Sequence, residues 1–533
     1  MAVDMQTGSD VLKKFISTFE IDYVFGNPGT TELGFLEAIQ QCENATYFLT
    51  LQESSTVGIA AGYAMITRKP AVVNLHNYVG LANALCNLYN ASKSGIPLLV
   101  IAGQHERPYL IHDPVMSGDL TTLAQTAVKY AYEVTAANDL AVALQRCYAQ
   151  ATLPAPGPVL LSIPMDVWQE KVDEIAIKKT KFLHSCANTE IDDLCDVLIN
   201  TQKGKLAFIA DYETGASNSI NLLHLIADKL GADVYAAPYH VREVINPLSL
   251  NYKGRLPDKS GEVHDLLMQY NTVVLLGEKI KGYLYTGKAS IPQNIHFIHL
   301  CGSSQHLAFD YPCDLAILGD LEATLTAISK RLHINNTTIQ LKPIANIKEL
   351  EKKYKHHQLH YLIFALLNKV DRSIHLITEG SSEDCTVQDI ASTLGFVNNN
   401  FSPRGGGLGW AMPLATGISL ATKRHSICFV GDGGSMYAIH SIWSAAKYNI
   451  PVIFICFINR EYRVLKTDFS QKKASREKPF LSLDLNHPPI DVQQIALSFG
   501  AQLKEIQSIE DIGPVLNSCF SFQGPTFIAL YHQ

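Results

Sequence analysis

Asp432 and Asn459 are the two residues around which chemistry can be built most directly in this chain. Both follow short apolar runs. Ile427-Cys428-Phe429-Val430 leads into Gly431-Asp432-Gly433-Gly434-Ser435, and Val452 to Ile458 leads into Asn459, 27 positions after Asp432. The runs have strand length and composition, and between them Ile439, Ile442, Trp443 and Ala446 recur at helical spacing. This is a strand–helix–strand unit of the parallel kind, and its two strand ends share the sheet edge at which ligands of open parallel sheets gather. A carboxylate and an amide oxygen are hard ligands suited to Mg²⁺, with phosphate and water completing the shell. The glycines let the backbone approach a phosphate and leave amides free at a helix N-terminus. The stretch reads as a diphosphate–metal clamp. The plainer reading is an ordinary unit in which Asp432 only caps the helix.

Other polar groups fall at the ends of other expected strands. Tyr23-Val24-Phe25 runs into Gly26-Asn27-Pro28-Gly29-Thr30-Thr31-Glu32, Tyr47 to Gln52 into Glu53 and a small-residue helix, and Ala71 to Leu75 into His76. Glu53, His76 and the Gly26–Glu32 loop therefore share one sheet edge. Small residues from Gly58 to Ala64 allow close helix packing. Later in the chain, Ile374 to Thr378 precedes Glu379-Gly380-Ser381-Ser382, whose hydroxyls and amides could bind a phosphate or simply cap a helix. The run Arg404-Gly405-Gly406-Gly407-Leu408-Gly409 allows close backbone approach to a ligand.

The strand–helix rhythm predicts an α/β protein of three doubly wound parallel-sheet domains, 1–185, 186–345 and 346–533. The middle region carries strands at Leu206–Ala210, Thr272–Leu276, His296–Leu300 and Leu315–Leu318 but no G-x-G-x-x-G, and its polar residues read as surface and turn positions of a spacer. The lysine-rich stretch 334–355 reads as the linker out of it. The chain of 533 residues is 47% hydrophobic and 17% charged, with net charge −7 and no basic block. This argues for a well-buried globular protein and against nucleic acid or an anionic membrane as partner. Apolar runs are shorter than a membrane span, and the opening residues carry no signal core, so a cytoplasmic location is expected. Eleven cysteines without a C-x-x-C pair fit buried thiols better than disulfides or zinc.

The combination GNPGTTE, LQESSTVGIAAGYA, NLHNYVGLANALCNLYNASKSGIPLLVIAGQ, GGGLGWAMP and GDGGSMYAIHSIWSAAKYNIPVIFI resembles the thiamine-diphosphate (ThDP)-dependent 2-oxo-acid decarboxylase and acetolactate-synthase superfamily over nearly the full length. Within it, the chain is most similar to the benzoylformate decarboxylases. The resemblance implies pyrimidine-binding, central and diphosphate-binding domains, with ThDP and Mg²⁺ (or Ca²⁺) as cofactors. Asp432 and Asn459 would bind the metal by side chain and Glu461 by its carbonyl. Ser381, Ser382, Gly433 and Gly434 would hold the diphosphate, with Tyr462 nearby. Gly406 and Leu408 would meet the aminopyrimidine, and Glu53 would touch its ring nitrogen, sharing the proton that activates the thiazolium. Thr30 and His76 would bind the 2-oxo acid carboxylate and move protons at its carbonyl oxygen.

The family pattern is not complete. It ends in two asparagines where this chain has Ile458-Asn459, and Leu284, between Tyr283 and Tyr285, stands where benzoylformate decarboxylases carry a second histidine. The implied activity is non-oxidative decarboxylation of a small-molecule 2-oxo acid. Carboligation of the acetolactate-synthase type is the alternative, and an idle ThDP-binding protein a third reading. A homodimer or homotetramer follows from the same resemblance, with Glu53 and Asp432 meeting across a two-fold interface.

Overall fold

The computed structural model describes residues 6–153, 155–173, 175–180, 191–280, 282–344, 346–380, 382–397, 399–472 and 482–531, with the side chains of 468–472 excepted. Three parallel sheets interleaved with helices give the expected α/β fold. The chain forms two compact units, one of 1–180, 374–385 and 405–533 and the other of 181–373 and 386–404.

The first unit holds two sheets. The first is built from β1 (Tyr23–Asn27), β2 (Thr46–Leu49), β3 (Ala71–Leu75), β4 (Leu98–Gln104), β5 (Tyr130–Glu133) and β6 (Pro158–Pro164), in the order β2-β1-β3-β4-β6-β5. In the second unit, β7 (Leu206–Ala210), β8 (Asp233–Ala236), β9 (Tyr252–Arg255), β10 (Thr272–Leu276), β11 (His296–Cys301) and β12 (Leu315–Leu318) lie in the order β12-β11-β10-β7-β8-β9. β13 (His375–Glu379) returns the chain to the first unit, and β14 (Asn400–Phe401) is a short piece of the second, where Phe401 bridges Arg242. β15 (Ser426–Gly431), β16 (Val452–Ile458), β17 (Gln502–Glu505) and β18 (Thr526–Tyr531) continue the sheet of β13, in the order β13-β15-β16-β18-β17. Central strands such as β4 and β16 are buried at every residue, as covered parallel sheets require.

The first and third sheets join through two helices, Glu53–Thr67 and Ala411–Thr422. A Cβ on Gly58 would lie 2.6 Å from Pro413 Cγ, one on Gly62 2.2 Å from the Leu414 carbonyl oxygen, and one on Gly417 1.9 Å from the Ile59 carbonyl oxygen. The backbones touch, and glycine is what lets them. Contacts advance in the same direction on both helices, so both N-termini point to the same end. Phe48 and Tyr448 stack at 4.1 Å, and the Tyr448 hydroxyl accepts from Leu49 N at 2.8 Å, binding β2 to the same seam.

In the second unit, the polar residues after β7 and β10 are not surface groups. Arg404, buried, lies 2.6 Å from Asp211 and 3.7 Å from Glu278, and Tyr212 donates to Glu278 at 2.7 Å. Burial first, then the charge of Glu278, pushes Glu213 up to about 8. These acids sit at strand ends, where sequence position alone resembles a turn. Residues 386–404 pack with this unit, and the expected linker ends in a helix, Ile347–Tyr354, that buries Leu350 and Tyr354.

Because backbone atoms face Gly417, Gly417→Ala forces the helices apart. Urea unfolding is expected to show a loss of about 1–3 kcal/mol or more; a variant within about 0.5 kcal/mol of the parent would contradict the close contact.

Candidate functional site

The carboxyl edge of the first sheet brings Glu53, His76 and the β1 loop together. His76 caps the helix Asn77–Lys93, and Glu53 opens the helix Glu53–Thr67. A Cβ on Gly80 would be 3.5 Å from both Glu53 Oε1 and His76 Cβ, so the two side chains flank one small space. Asn27 Nδ2 and Asn83 Nδ2 donate to Glu53 at 3.4 and 3.2 Å. Thr30 is exposed at the start of the short turn Thr30–Glu32; its neighbour Thr31 is the buried threonine, with its hydroxyl 3.2 Å from His76 Nδ1.

Glu32 was not singled out by its sequence position. Its buried carboxylate accepts from Gly29 N at 2.8 Å and from the Thr31 hydroxyl at 2.6 Å, and lies 2.8 Å from His76 Nδ1. A carboxylate oxygen only accepts, so this contact favours the imidazole form that carries its hydrogen on Nδ1. Gly29 and Gly103 are required here, since a Cβ on either would strike His76 or Glu32 at 2.2 or 2.0 Å.

The helix Asn77–Lys93 also reaches the glycine run. Asn87 Nδ2 donates to the Ser54 carbonyl at 2.8 Å and the Gly409 carbonyl at 2.9 Å. Asn90 pairs with Gly407 both ways, Nδ2 to its carbonyl at 2.9 Å and Oδ1 from its N–H at 3.1 Å. Asn83, Asn87 and Asn90 thus line one helical face. That spacing of carboxamides on an otherwise apolar helix was a readable signal. Gly406, at φ +81°, is exposed with open space above it, and Leu408 packs over Gly380, where a Cβ would come within 2.7 Å.

Glu379, at the end of β13, closes the far side of the run. Its carboxylate, fully buried, accepts from the N–H groups of Gly409, Trp410 and Ala411, the entry to the helix Ala411–Thr422. Burial raises its pKa to about 7, against the lowering effect of those three donors. Ser382 donates to Glu383 at 3.3 Å, and Ser381 lies outside the described residues.

Asp432 and Asn459 end the adjacent strands β15 and β16. Asp432, nearly buried, accepts from Gly433 N at 2.9 Å and Arg460 N at 2.6 Å, and Asn459 Oδ1 accepts from Glu461 N at 3.0 Å. Arg460 bends the chain between them at φ +56°. The Glu461 side chain is occupied: burial alone would raise its pKa, but Lys466 and Arg463 hold it low through ion pairs. Its peptide remains on the Asn459 side. Carboxylate and carboxamide oxygens keep further lone pairs after one hydrogen bond each, so Asp432 and Asn459, at adjacent strand ends, offer hard oxygen donors of the kind Mg²⁺ takes. Among the described residues, no group of three or more His, Cys, Asp or Glu forms a competing metal cluster. Gly433 admits the Tyr462 ring, whose Cε1 would lie 2.9 Å from an added Cβ, and Gly434 has room. This edge fits a diphosphate–metal group, and the open Gly406 fits an approaching ring.

Residues 6–129 match the thiamine pyrophosphate enzyme N-terminal TPP binding domain, and residues 387–530 the C-terminal TPP binding domain. The chain is 26% identical over 521 residues to benzoylformate decarboxylase of Pseudomonas aeruginosa, covering 96% of each chain. It is 22% identical to acetolactate synthase of Bacillus subtilis, covering 95% of this chain and 90% of that one. Among solved structures, it resembles a thiamine diphosphate-dependent 4-hydroxybenzoylformate decarboxylase of Rhodococcus jostii RHA1, with TM-score 0.87, 26% identity and 99% of each chain covered.

Two outcomes are expected. Glu32→Gln should lower turnover about 10–100-fold by loosening His76 and should alter the pH–rate profile; parental kcat with an unchanged profile would remove Glu32 from the site. For Glu379, the folded pKa lies above the ordinary 4.5, so the folded state binds the extra proton and its stability falls as pH rises from about 4.5 through about 7. Relative to the parent, Glu379→Gln should therefore gain stability between pH 5 and 8, by up to about 3 kcal/mol; a constant difference in urea midpoints across that range would refute the shift.

Proposed function

We propose that this chain, which belongs to the thiamine-diphosphate-dependent enzymes, is an Mg²⁺-dependent non-oxidative decarboxylase of a small-molecule 2-oxo acid. One observation carries the reading: Glu53 and His76 flank a single space, and the Asn83–Asn87–Asn90 helix reaches from Glu53 to the glycine run. When bound, ThDP supplies the nucleophile and the electron sink that loss of CO₂ requires.

The residues divide the remaining work. Asp432, Asn459 and the Glu461 carbonyl would hold Mg²⁺ (or Ca²⁺). Ser381, Ser382, Gly433 and Gly434 would cradle the diphosphate, with Tyr462 against the turn. Gly406 and Leu408 would seat the aminopyrimidine. Glu53, held by Asn27 and Asn83, would exchange a proton with its ring nitrogen. His76, fixed through Nδ1 by Glu32, would move a proton at the substrate carbonyl oxygen through Nε2. Thr30, exposed beside them, would meet the substrate carboxylate.

A second reading, carboligation of the acetolactate-synthase type, is favoured by the loop Tyr283-Leu284-Tyr285, which offers no histidine. Slow protonation after CO₂ loss leaves time for a second carbonyl compound to add. We also infer a homodimer or homotetramer. Exposed Leu33, Leu51 and Val79 near one strand edge, and Tyr437 and Tyr462 near the other, are apolar surface that a second copy would cover. No helix among the described residues is long and apolar enough to cross a membrane, and we infer a cytoplasmic protein.

A panel of 2-oxo acids with ThDP and Mg²⁺, read for CO₂ and carbonyl products, tests the reading. Release of CO₂ and free aldehyde supports decarboxylation, and a condensed hydroxyketone supports ligation. Glu53→Gln should cut CO₂ release about 10²–10⁴-fold while leaving calorimetric Mg²⁺–ThDP binding measurable; unchanged turnover would sink the assigned chemistry.

A further inference from the structure

The second unit contains a groove of about 640 Å³, within the range of small-molecule sites, and none of its lining residues belongs to the first unit. The edge strand β9 lines it together with residues between 236 and 248, Lys342, Pro343, Lys353 and residues of 388–393 and 400–402. Its charge is one-sided: Lys253, Arg255, Lys342 and Lys353 face it, against Glu243 and Asp389. Glu243 is buried and already accepts from Asn400 Nδ2 at 2.9 Å.

The cations are set in place by the backbone. A register shift between β8 and β9 at Val234/Tyr235 sets Lys253 out of the ladder, and Gly254 follows at φ +126° with open space above it. Lys342 Nζ donates to the Tyr252 carbonyl at 2.9 Å and lies 6.0 Å from that ring's centroid. Arg255 is held by Gln388 Oε1 at 2.8 Å. Burial, and next the charge of Lys253, lowers the pKa of Lys342. Lys253 has an acid, Asp233, at 3.3 Å, but that carboxylate also receives the Tyr270 hydroxyl at 2.7 Å. Like charges lining one groove oppose each other until an anion lies between them.

We propose that this groove binds a small organic anion carrying a phosphate or paired carboxylates, with its head among Lys253, Arg255, Lys342 and Lys353 and its apolar body against Ile245 and Phe401. The site is independent of the reaction assigned above. It gives the central region a ligand of its own.

Full-length protein saturated with ThDP and Mg²⁺, so that the diphosphate clamp is filled, would be titrated calorimetrically with phenyl phosphate and with phthalate. Binding of either at millimolar or lower concentration is expected, and the one bound more tightly identifies the head group. Affinity should fall at least tenfold in Lys253→Glu/Lys342→Glu, with ThDP affinity unchanged. Lys253→Gln/Lys342→Gln replaces that pair should reversal impair folding. No binding of either probe, or equal affinity in parent and variant, would overturn the proposal.

Discussion

The helices Glu53–Thr67 and Ala411–Thr422 lie backbone against backbone, and the arrangement of the site depends on that contact. Gly62 and Gly417 leave no side chain between them, Gly58 receives the Pro413 ring, and the shared direction of the helices brings both N-termini to one end. One helix begins with Glu53. The other begins where the glycine run stops. A bulky residue at the seam would separate Glu53 from the glycine run, even with every polar residue retained.

Two parallel helix starts also concentrate positive partial charge in one place, which costs energy unless anions answer it. Glu53 occupies the first turn of one, and Glu379 accepts the leading N–H groups of the other. Glu32 plays the corresponding part in the β1 loop, accepting a backbone amide while it fixes His76. Buried carboxylates are costly alone and serve here because fixed donors surround them.

Strands buried on both faces were legible from sequence: Ala71–Leu75, Leu206–Ala210, Thr272–Leu276 and Val452–Ile458 fall where their apolar runs place them. Tyr130–Glu133, Tyr252–Arg255 and Gln502–Glu505 were not, because half-exposed edge strands carry no continuous apolar signal. The positions of Asp432 and Asn459 at adjacent strand ends followed from strand ends and motif. Glu32 and Glu379 did not, since a glutamate beside a turn reads the same whether it points to water or to three amides. Arg404 read as the head of a glycine run, and its partners Asp211 and Glu278 lie far away in sequence, where no local pattern could announce them.

The face of Asn83, Asn87 and Asn90 has a further consequence. Carboxamides neither gain nor lose protons in water's ordinary range and are little affected by dissolved ions. A spacing maintained by them stays the same in dilute buffer and in brine, at mild acidity and mild alkalinity.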